Sequence, residues 1–144
     1  MSLRLLALAL LAVTVFAVDG FAGSRLNPEM AALMKTYLAE AQKADPSFKS
    51  FSAGEGKKLF YSKRMHSKAK KERGCTTCHT SKPENKGKTP AGKVIEPISP
   101  AVNKERFTSP KRMKKWFRRN CKWVLERQCT PKEKGDYITY MMSL

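Results

Sequence analysis

Residues 75–79 read Cys75-Thr76-Thr77-Cys78-His79, and this short stretch is the most informative part of the chain. C-x-x-C-H is the attachment motif of c-type haem, in which two thiols add to the haem vinyl groups and the adjacent imidazole ligates iron. The two intervening residues keep both sulfurs within reach of one side of the macrocycle, and the histidine follows on the same turn. The motif therefore predicts one covalently bound haem c, held by Cys75, Cys78 and His79.

Three other uses of a C-x-x-C pair are open at this point: a thiol redox pair, half of a zinc site, and a structural disulfide. A redox pair is typical of an α/β pattern, in which the motif follows a strand. A zinc site needs a second Cys or His pair nearby. His66 is the only other histidine, and Cys121 and Cys129 lie more than forty residues downstream. The sequence favours haem attachment.

The chain begins with a pattern typical of a secretory signal peptide. Arg4 supplies a positive charge, and residues 5–18 form an apolar run that is too short to span a bilayer. Ala22 offers a small residue for cleavage, so we expect residues 1–22 to be the signal peptide, with an uncleaved membrane anchor as the alternative. Export agrees with haem attachment outside the bacterial cytoplasm and permits disulfides. We expect a soluble periplasmic protein.

The formal net charge of +17 indicates either binding of an acidic partner or a highly solvated surface. Nucleic-acid binding is the first idea for such a charge, but export and the lack of a nucleic-acid motif argue against it. The basic residues cluster over residues 63–73, 82–93 and 111–122. In a redox protein, a basic face near the haem would steer docking to an acidic partner. A solvated surface and attraction to anionic lipid are the alternatives.

The remainder reads as helices and loops, and its length suits one small domain. Helix starts are predicted at the caps Asn27, Ser52, Ser109 and Thr130. The predicted helices span about residues 28–43, 52–64, 110–120 or slightly beyond, and 131–144. Residues 82–100 are rich in Pro and Gly and predict a loop, with Ile95 and Ile98 as an apolar strip against the haem edge.

We therefore predict an all-α fold like that of a class I cytochrome c, with helices around one covalently attached haem and a Pro/Gly-rich loop. The cytochrome domain is placed at residues 51–144, after an N-terminal, helical extension at residues 23–50. In most class I cytochromes c, a methionine completes the iron coordination and the protein carries electrons. The candidates for the sixth ligand here are Met65, Met113, Met141, Met142, His66 and Asn120.

Asn120 stands out because of its position in the third helix. Met113, Trp116, Phe117, Asn120 and Val124 recur at helical spacing and predict one apolar stripe. A buried amide without a partner costs a few kcal/mol, so a polar partner is expected. That partner is the haem iron in the functional interpretation. It is the backbone if Asn120 is a structural residue or a helix C-cap.

The two remaining cysteines flank the end of this helix. Cys121 follows Asn120 directly, and Cys129 lies eight residues further on. In an exported protein whose other two thiols are bound to haem, these two should form a disulfide. The bond would restrain the backbone next to Asn120.

The chain resembles a known family, the sphaeroides haem proteins (SHP), which are small exported class I cytochromes c with an asparagine as the distal ligand. The resemblance covers about residues 54–144. It rests on Cys75-Thr76-Thr77-Cys78-His79, Gly92-Lys93-Val94-Ile95-Glu96-Pro97, Arg106-Phe107-Thr108, Lys115-Trp116-Phe117-Arg118-Arg119-Asn120-Cys121 and Cys129-Thr130-Pro131-Lys132-Glu133-Lys134. It implies that His79 is the proximal ligand, that Asn120 is the distal ligand, and that Cys121 and Cys129 are paired.

The resemblance also implies a function. A neutral amide oxygen suits ferric iron better than ferrous iron, so Asn120 is expected to release on reduction and open the site to O2, NO or CO. The implied redox partners are a dihaem cytochrome c and a membrane cytochrome b. One alternative is a simple electron carrier with Met as the sixth ligand. Another is an enzyme acting on oxygen, NO or peroxide, although we see no dedicated catalytic constellation. We expect His66 at the surface of the basic loop.

Overall fold

The computed structural model describes residues 26–144, so the predicted signal peptide at residues 1–22 lies outside the described part. The helices are α1 Pro28–Ala44, α2 Ala53–Tyr61, α3 Thr76–His79, α4 Pro110–Leu125 and α5 Pro131–Met142. The strands are β1 Arg64–His66, β2 Lys71–Arg73, β3 Gly87–Lys88 and β4 Val94–Ile95, paired as two antiparallel hairpins. Within residues 26–144, every helix is too short or too polar to cross a membrane.

The four long helices begin at the predicted caps. The side chains of Asn27, Ser52, Ser109 and Thr130 each accept a hydrogen bond from the backbone N–H three residues on, at 2.8, 3.2, 3.4 and 3.1 Å. These bonds satisfy N–H groups that the first helical turn leaves without partners. At Ser52, the side chain of Glu55 does not bond back to the N–H of Ser52 to complete a capping box, because it binds Lys58 instead.

Three features differ from the sequence expectation. Helix α2 ends at Tyr61, and Arg64, near which the predicted helix ends, begins β1. Helix α4 continues to Leu125 and ends where Glu126 adopts a left-handed backbone with φ of 57°. The two hairpins are not predicted, because strands of two or three residues are too short to show apolar alternation. The second hairpin turns at Gly92, whose φ of 81° favours glycine.

The core forms where α2 crosses α5. A Cβ on Gly56 would lie 2.0 Å from the carbonyl oxygen of Asp136, so the two backbones are in direct contact. Phe60 of α2 and Ile138 of α5 are fully buried beside this crossing. The carboxylate of Asp136 also accepts a hydrogen bond from the N–H of Ser52 at 2.8 Å, which ties α5 to the start of α2.

Helix α1 contributes to the same core. Met30, Leu33 and Tyr37 are buried on its inner face and belong to one cluster with side chains of α4 and α5. The amide of Asn27 donates a hydrogen bond to the carbonyl of Thr108 at 2.8 Å, just before α4. The start of α1 is thereby fixed to the start of α4.

Candidate haem site

The C-x-x-C-H motif folds as the single turn α3. The N–H of His79 donates to the carbonyl of Cys75 at 3.1 Å, and Thr80 ends the turn with φ of 62°. Both Cys75 and Cys78 are free thiols and are half-buried. The turn therefore brings two thiols and an imidazole together within five residues, as the predicted attachment requires.

Glycines allow backbone to pack directly on this turn. A Cβ on Gly87 would lie 1.9 Å from the carbonyl oxygen of Cys78, so β3 touches the motif without an intervening side chain. A Cβ on Gly74 would lie 2.4 Å from the carbonyl oxygen of Ser62, at the end of α2. Sequence reasoning missed both residues, because a glycine beside a motif does not reveal which carbonyl approaches it.

The protonation of the thiols argues against a redox pair. Burial raises the pKa of Cys75 to about 11 and also raises the pKa of Cys78. Reactive cysteines of C-x-x-C oxidoreductases have lowered pKa values, because the thiolate is the nucleophile. In the described part of the chain, no three His, Cys, Asp or Glu side chains are grouped so that they could hold a metal ion.

The imidazole of His79 is in the form that ligates iron. Burial, followed by the nearby charge of Arg106, lowers the pKa of His79 to about 4. The ring is therefore neutral at neutral pH and keeps a lone pair for a metal. Two protonated thiols and one neutral imidazole on a single turn fit a covalently bound haem c.

Arg106 connects two of the segments that carry the sequence resemblance. Its Nε donates to the carbonyl of Pro97 at 2.8 Å, and its Nη2 donates to the carbonyl of Glu96 at 2.5 Å. The following residue in the loop, Ile98, is buried in the core, while Ile95 is half-buried. Arg106 thus fixes the Pro/Gly-rich loop and places a positive charge near His79.

Asn120 lies on the exposed side of α4, which corrects the predicted apolar stripe. The buried residues of this helix are Phe117, Cys121, Val124 and Leu125. Successive residues of a helix are rotated by about 100°, so a core position at Cys121 turns Asn120 toward the edge of the buried face. Trp116, one turn earlier in the helix, is also exposed, with 43% of its surface accessible. Phe117 and Val124 are buried as predicted.

A disulfide fixes the backbone next to Asn120. Cys121 and Cys129 are bonded, with their Cα atoms 5.5 Å apart, and both residues are buried. The bond joins the last turn of α4 to the residue before the cap of α5, so it restrains the end of the helix that carries Asn120.

The methionine candidates occupy different surroundings. Met141 is fully buried in the core cluster, whereas Met65 on β1 is 64% exposed. Met113 and Met142 are half-buried at the edge of the core. Met113 lies on α4 two turns before Asn120, which makes it the methionine to compare with Asn120.

His66 is buried, so the expectation of a surface position is wrong. Its Nδ1 accepts hydrogen bonds from the N–H groups of Lys68 and Ala69, both at 3.2 Å. The β1–β2 hairpin packs on the end of α4, where the guanidinium of Arg73 lies 4.2 Å from the centre of the Trp123 ring. Glu126, which follows α4, lies 3.6 Å from Nδ1 of His66. Packing of the hairpin against α4 could not be predicted from a basic sequence.

Comparison with known proteins identifies the family. A family model described as a domain of unknown function (DUF1924) matches residues 46–141. The chain is 34% identical over 112 residues to cytochrome c'' of Methylophilus methylotrophus, covering 77% of each chain. It is 39% identical over 89 residues to the cytochrome c-type protein SHP of Cereibacter sphaeroides, covering 62% of this chain and 68% of the relative. The chain belongs to the SHP family of c-type cytochromes.

Solved structures of the SHP family share the fold. Oxidized SHP, described as an oxygen binding cytochrome c, matches with a TM-score of 0.70 at 35% identity, covering 80% of this chain and 96% of SHP. A solution structure of Methylophilus methylotrophus cytochrome c'', described as giving insights into haem-ligand detachment, matches with a TM-score of 0.70 at 34% identity. That match covers 80% of this chain and 93% of cytochrome c''.

These relationships confirm the predicted fold class and cofactor. The protein is an all-α, class I cytochrome c-like member of the SHP family, a monohaem c-type cytochrome with one covalently bound haem c.

Proposed function

We propose that this SHP-family cytochrome binds a diatomic gas and exchanges electrons, with His79 as the proximal ligand and Asn120 as a distal ligand that releases on reduction. When bound, the haem supplies an iron that takes up one electron and one molecule of O2, NO or CO. The observation that carries the proposal is the α3 turn with its two cysteines and His79, and the position of Asn120 on α4 is consistent with it. The turn presents a neutral His79, and Asn120 is held on an exposed side of α4 beside a disulfide.

The chemistry of Asn120 supports release on reduction. Its amide oxygen is a hard, uncharged and weak donor, which prefers ferric to ferrous iron. Asn120 is exposed on α4, so a movement of its side chain would not open the buried core. The relatives are described in matching terms, one as oxygen binding and one in connection with haem-ligand detachment.

An exposed basic patch next to Asn120 supports docking of acidic redox partners. The guanidinium of Arg119 and the Nζ of Lys115 lie 5.5 and 5.9 Å from the centre of the exposed Trp116 ring. Arginine and lysine over an aromatic ring gain from its quadrupole and keep their charge at the surface. We propose that this face meets an acidic partner, such as a dihaem cytochrome c or a membrane cytochrome b, in the periplasm.

Replacement of Asn120 tests the distal ligand. We expect Asn120→Ala to change the absorption spectrum of the oxidised protein and to leave the reduced protein able to bind CO and NO reversibly. The reason is that the variant removes an oxygen donor that acts only in the oxidised state. Spectra of the oxidised, reduced, and reduced and gas-treated forms provide the measurement.

Met113→Leu is the matched control on the same helix. It should leave all of these spectra unchanged, because its sulfur is not a ligand in this proposal. A methionine-to-iron charge-transfer band in the unmodified protein, lost in Met113→Leu and kept in Asn120→Ala, would overturn the assignment. The protein would then be a simple electron-transfer cytochrome with Met as the sixth ligand.

A further inference from the structure

A cleft of about 280 Å³ lies between α1, α4 and α5. Its floor contains two buried aromatic side chains, Tyr37 and Phe117, whose ring centres are 6.3 Å apart. Three cationic side chains line it: Lys114, Arg118 and Lys134. Five of the seven residues that line the cleft are charged or polar, so it is a basic groove over a small aromatic base.

The cleft is separate from the candidate haem site. Lys114 and Arg118 are four residues apart on α4, so they lie side by side on one face of the helix. Trp116 and Asn120 are also four residues apart, but they lie on a different face. A separation of two residues, as from Arg118 to Trp116 or to Asn120, turns a side chain by about 200° around the helix. A ligand in the cleft would therefore contact α4 away from Asn120.

The positive charge in the cleft is not balanced within the described chain. Among residues 26–144, none of the three cleft cations forms an ion pair, whereas Lys58, Arg127 and Lys132 each bind a carboxylate at 2.6–2.7 Å. Glu40 is the one acidic residue that lines the cleft, so three cations face a single carboxylate. Cations brought together around an aromatic floor repel one another, and a bound anion would relieve that repulsion.

The cleft also contains neutral hydrogen-bond donors. Burial, followed by the charge of Glu40, raises the pKa of Tyr37 to about 12, so its phenol stays protonated at neutral pH. The Nζ of Lys134 lies 5.2 Å from the centre of the Tyr37 ring, which directs that ammonium over the floor. The amide of Gln128 lines the same cleft. Charged donors and neutral donors thus surround one apolar surface.

We propose that this cleft is a binding site for a phosphate-type oxyanion carried on a flat organic group. Lys114, Arg118 and Lys134 would pair with the oxyanion, since guanidinium and ammonium groups form strong charge-assisted hydrogen bonds to phosphate. The organic group would contact the small exposed parts of Tyr37 and Phe117 and the hydrocarbon stems of the lysines beside them. The site is independent of haem binding and of the proposed release of Asn120.

Binding of phenyl phosphate and of inorganic phosphate to the haem-loaded protein tests the site by calorimetry. We expect saturable one-to-one binding, with phenyl phosphate binding more tightly because it also covers the aromatic floor. Lys114→Gln/Arg118→Gln should weaken phenyl phosphate binding by at least about tenfold, as expected for the loss of charge-assisted hydrogen bonds. Lys70→Gln/Lys71→Gln is the matched control, since it removes two exposed positive charges from the β1–β2 hairpin, outside both the cleft and the patch around Trp116.

The control separates a built site from general attraction to a basic protein. Binding that is unchanged in the control pair and weakened in the cleft pair supports the proposal. Equal weakening in both pairs, or no saturable binding at millimolar phenyl phosphate, overturns it. Vesicles of phosphatidylcholine with phosphatidylglycerol are tested in parallel, and loss of vesicle binding in the cleft pair alone would assign the phosphate to a lipid headgroup.

Discussion

At the scale of single residues, Gly87 controls how closely β3 approaches the haem motif. Because a Cβ at this position would lie 1.9 Å from the carbonyl oxygen of Cys78, Gly87→Ala forces the backbone apart. We expect the variant to lower the free energy of unfolding by about 1–3 kcal/mol, the usual cost of overpacking. Urea unfolding of the haem-loaded protein, followed by circular dichroism, measures it.

Gly54→Ala provides the comparison for Gly87→Ala. A Cβ on Gly54 meets only the hydroxyl of Ser52, at an ordinary distance of 3.5 Å. Alanine is the better helix former, so this variant should be as stable as the unmodified protein or up to about 1 kcal/mol more stable. If both variants lose the same free energy, close packing at Gly87 is not the cause.

Residues whose role follows from their neighbours in the sequence could be predicted, and residues whose role depends on a distant contact could not. The spacing of Cys75, Cys78 and His79 was enough to predict the haem. The surface position expected for His66 is wrong, because the hairpin packs so that this residue is buried. Asn120 lies on the exposed side of α4 and not on the predicted apolar stripe, and its role as distal ligand stays a prediction. Apolar periodicity also misplaced Trp116, because it does not show where the centre of a buried stripe lies.

At the scale of elements, the start of α5 is a pH-sensitive cap. Glu133 accepts hydrogen bonds from the guanidinium of Arg127 at 2.6 and 2.8 Å and from the N–H of Thr130 at 2.8 Å. These bonds, those of Arg127 first, lower the pKa of Glu133 below its ordinary value of 4.5, against the raising effect of burial. The ionised form of Glu133 is therefore bound more favourably in the folded protein than in the unfolded chain.

The sign of the pH effect follows from this lowered pKa. The stabilisation is fully present above pH 4.5 and is lost as the pH falls through the lower native value. Glu133→Gln should cost about 1 kcal/mol at pH 7 and should flatten the loss of stability below pH 4.5. Thermal unfolding across this range measures both effects, with exposed Glu72→Gln as control. An acid limb as steep as that of the unmodified protein would contradict this role.

The long helices could be predicted because their start signals are local. A cap, a proline and an apolar period all lie within a few residues of the helix start, as at Asn27 and Thr130. The hairpins are held by pairing between strands of two or three residues, which leaves no period to detect. The disulfide and its position beside the cap of α5 could both be expected, because Cys121 and Cys129 are the two cysteines outside the haem motif and Cys129 directly precedes Thr130.

At the scale of the whole molecule, the net charge of +17 should govern encounters with redox partners. We expect the rate constant for oxidation by ferricyanide, an anion, to fall about tenfold or more between about 10 and about 200 mM salt, because salt screens long-range attraction. Oxidation by a cationic cobalt complex should become faster over the same range. Stopped-flow absorbance provides both rates, and an identical salt dependence for the two reagents would exclude electrostatic steering.

The class of fold could be predicted because one covalent cofactor restricts the architectures that can surround it. The way α1 packs into the core could not be predicted, because Met30 and Tyr37 pack with residues that lie far along the sequence. The oxyanion cleft is likewise invisible in the sequence, where Lys114 and Arg118 are two of many basic residues.

The contact between α2 and α5 also bears on when the loop that carries the haem motif closes during synthesis. Gly56 and Asp136 touch through their backbones, and the entire haem motif lies in the loop that they close. During synthesis, Cys75 and Cys78 emerge well before the 12 residues of α5 exist. Until α5 is made, Phe60 lacks the partner it packs against. Closing so long a loop costs entropy, which this packing and the Ser52–Asp136 hydrogen bond offset. The last helix is therefore the step that encloses a motif already exposed on the growing chain.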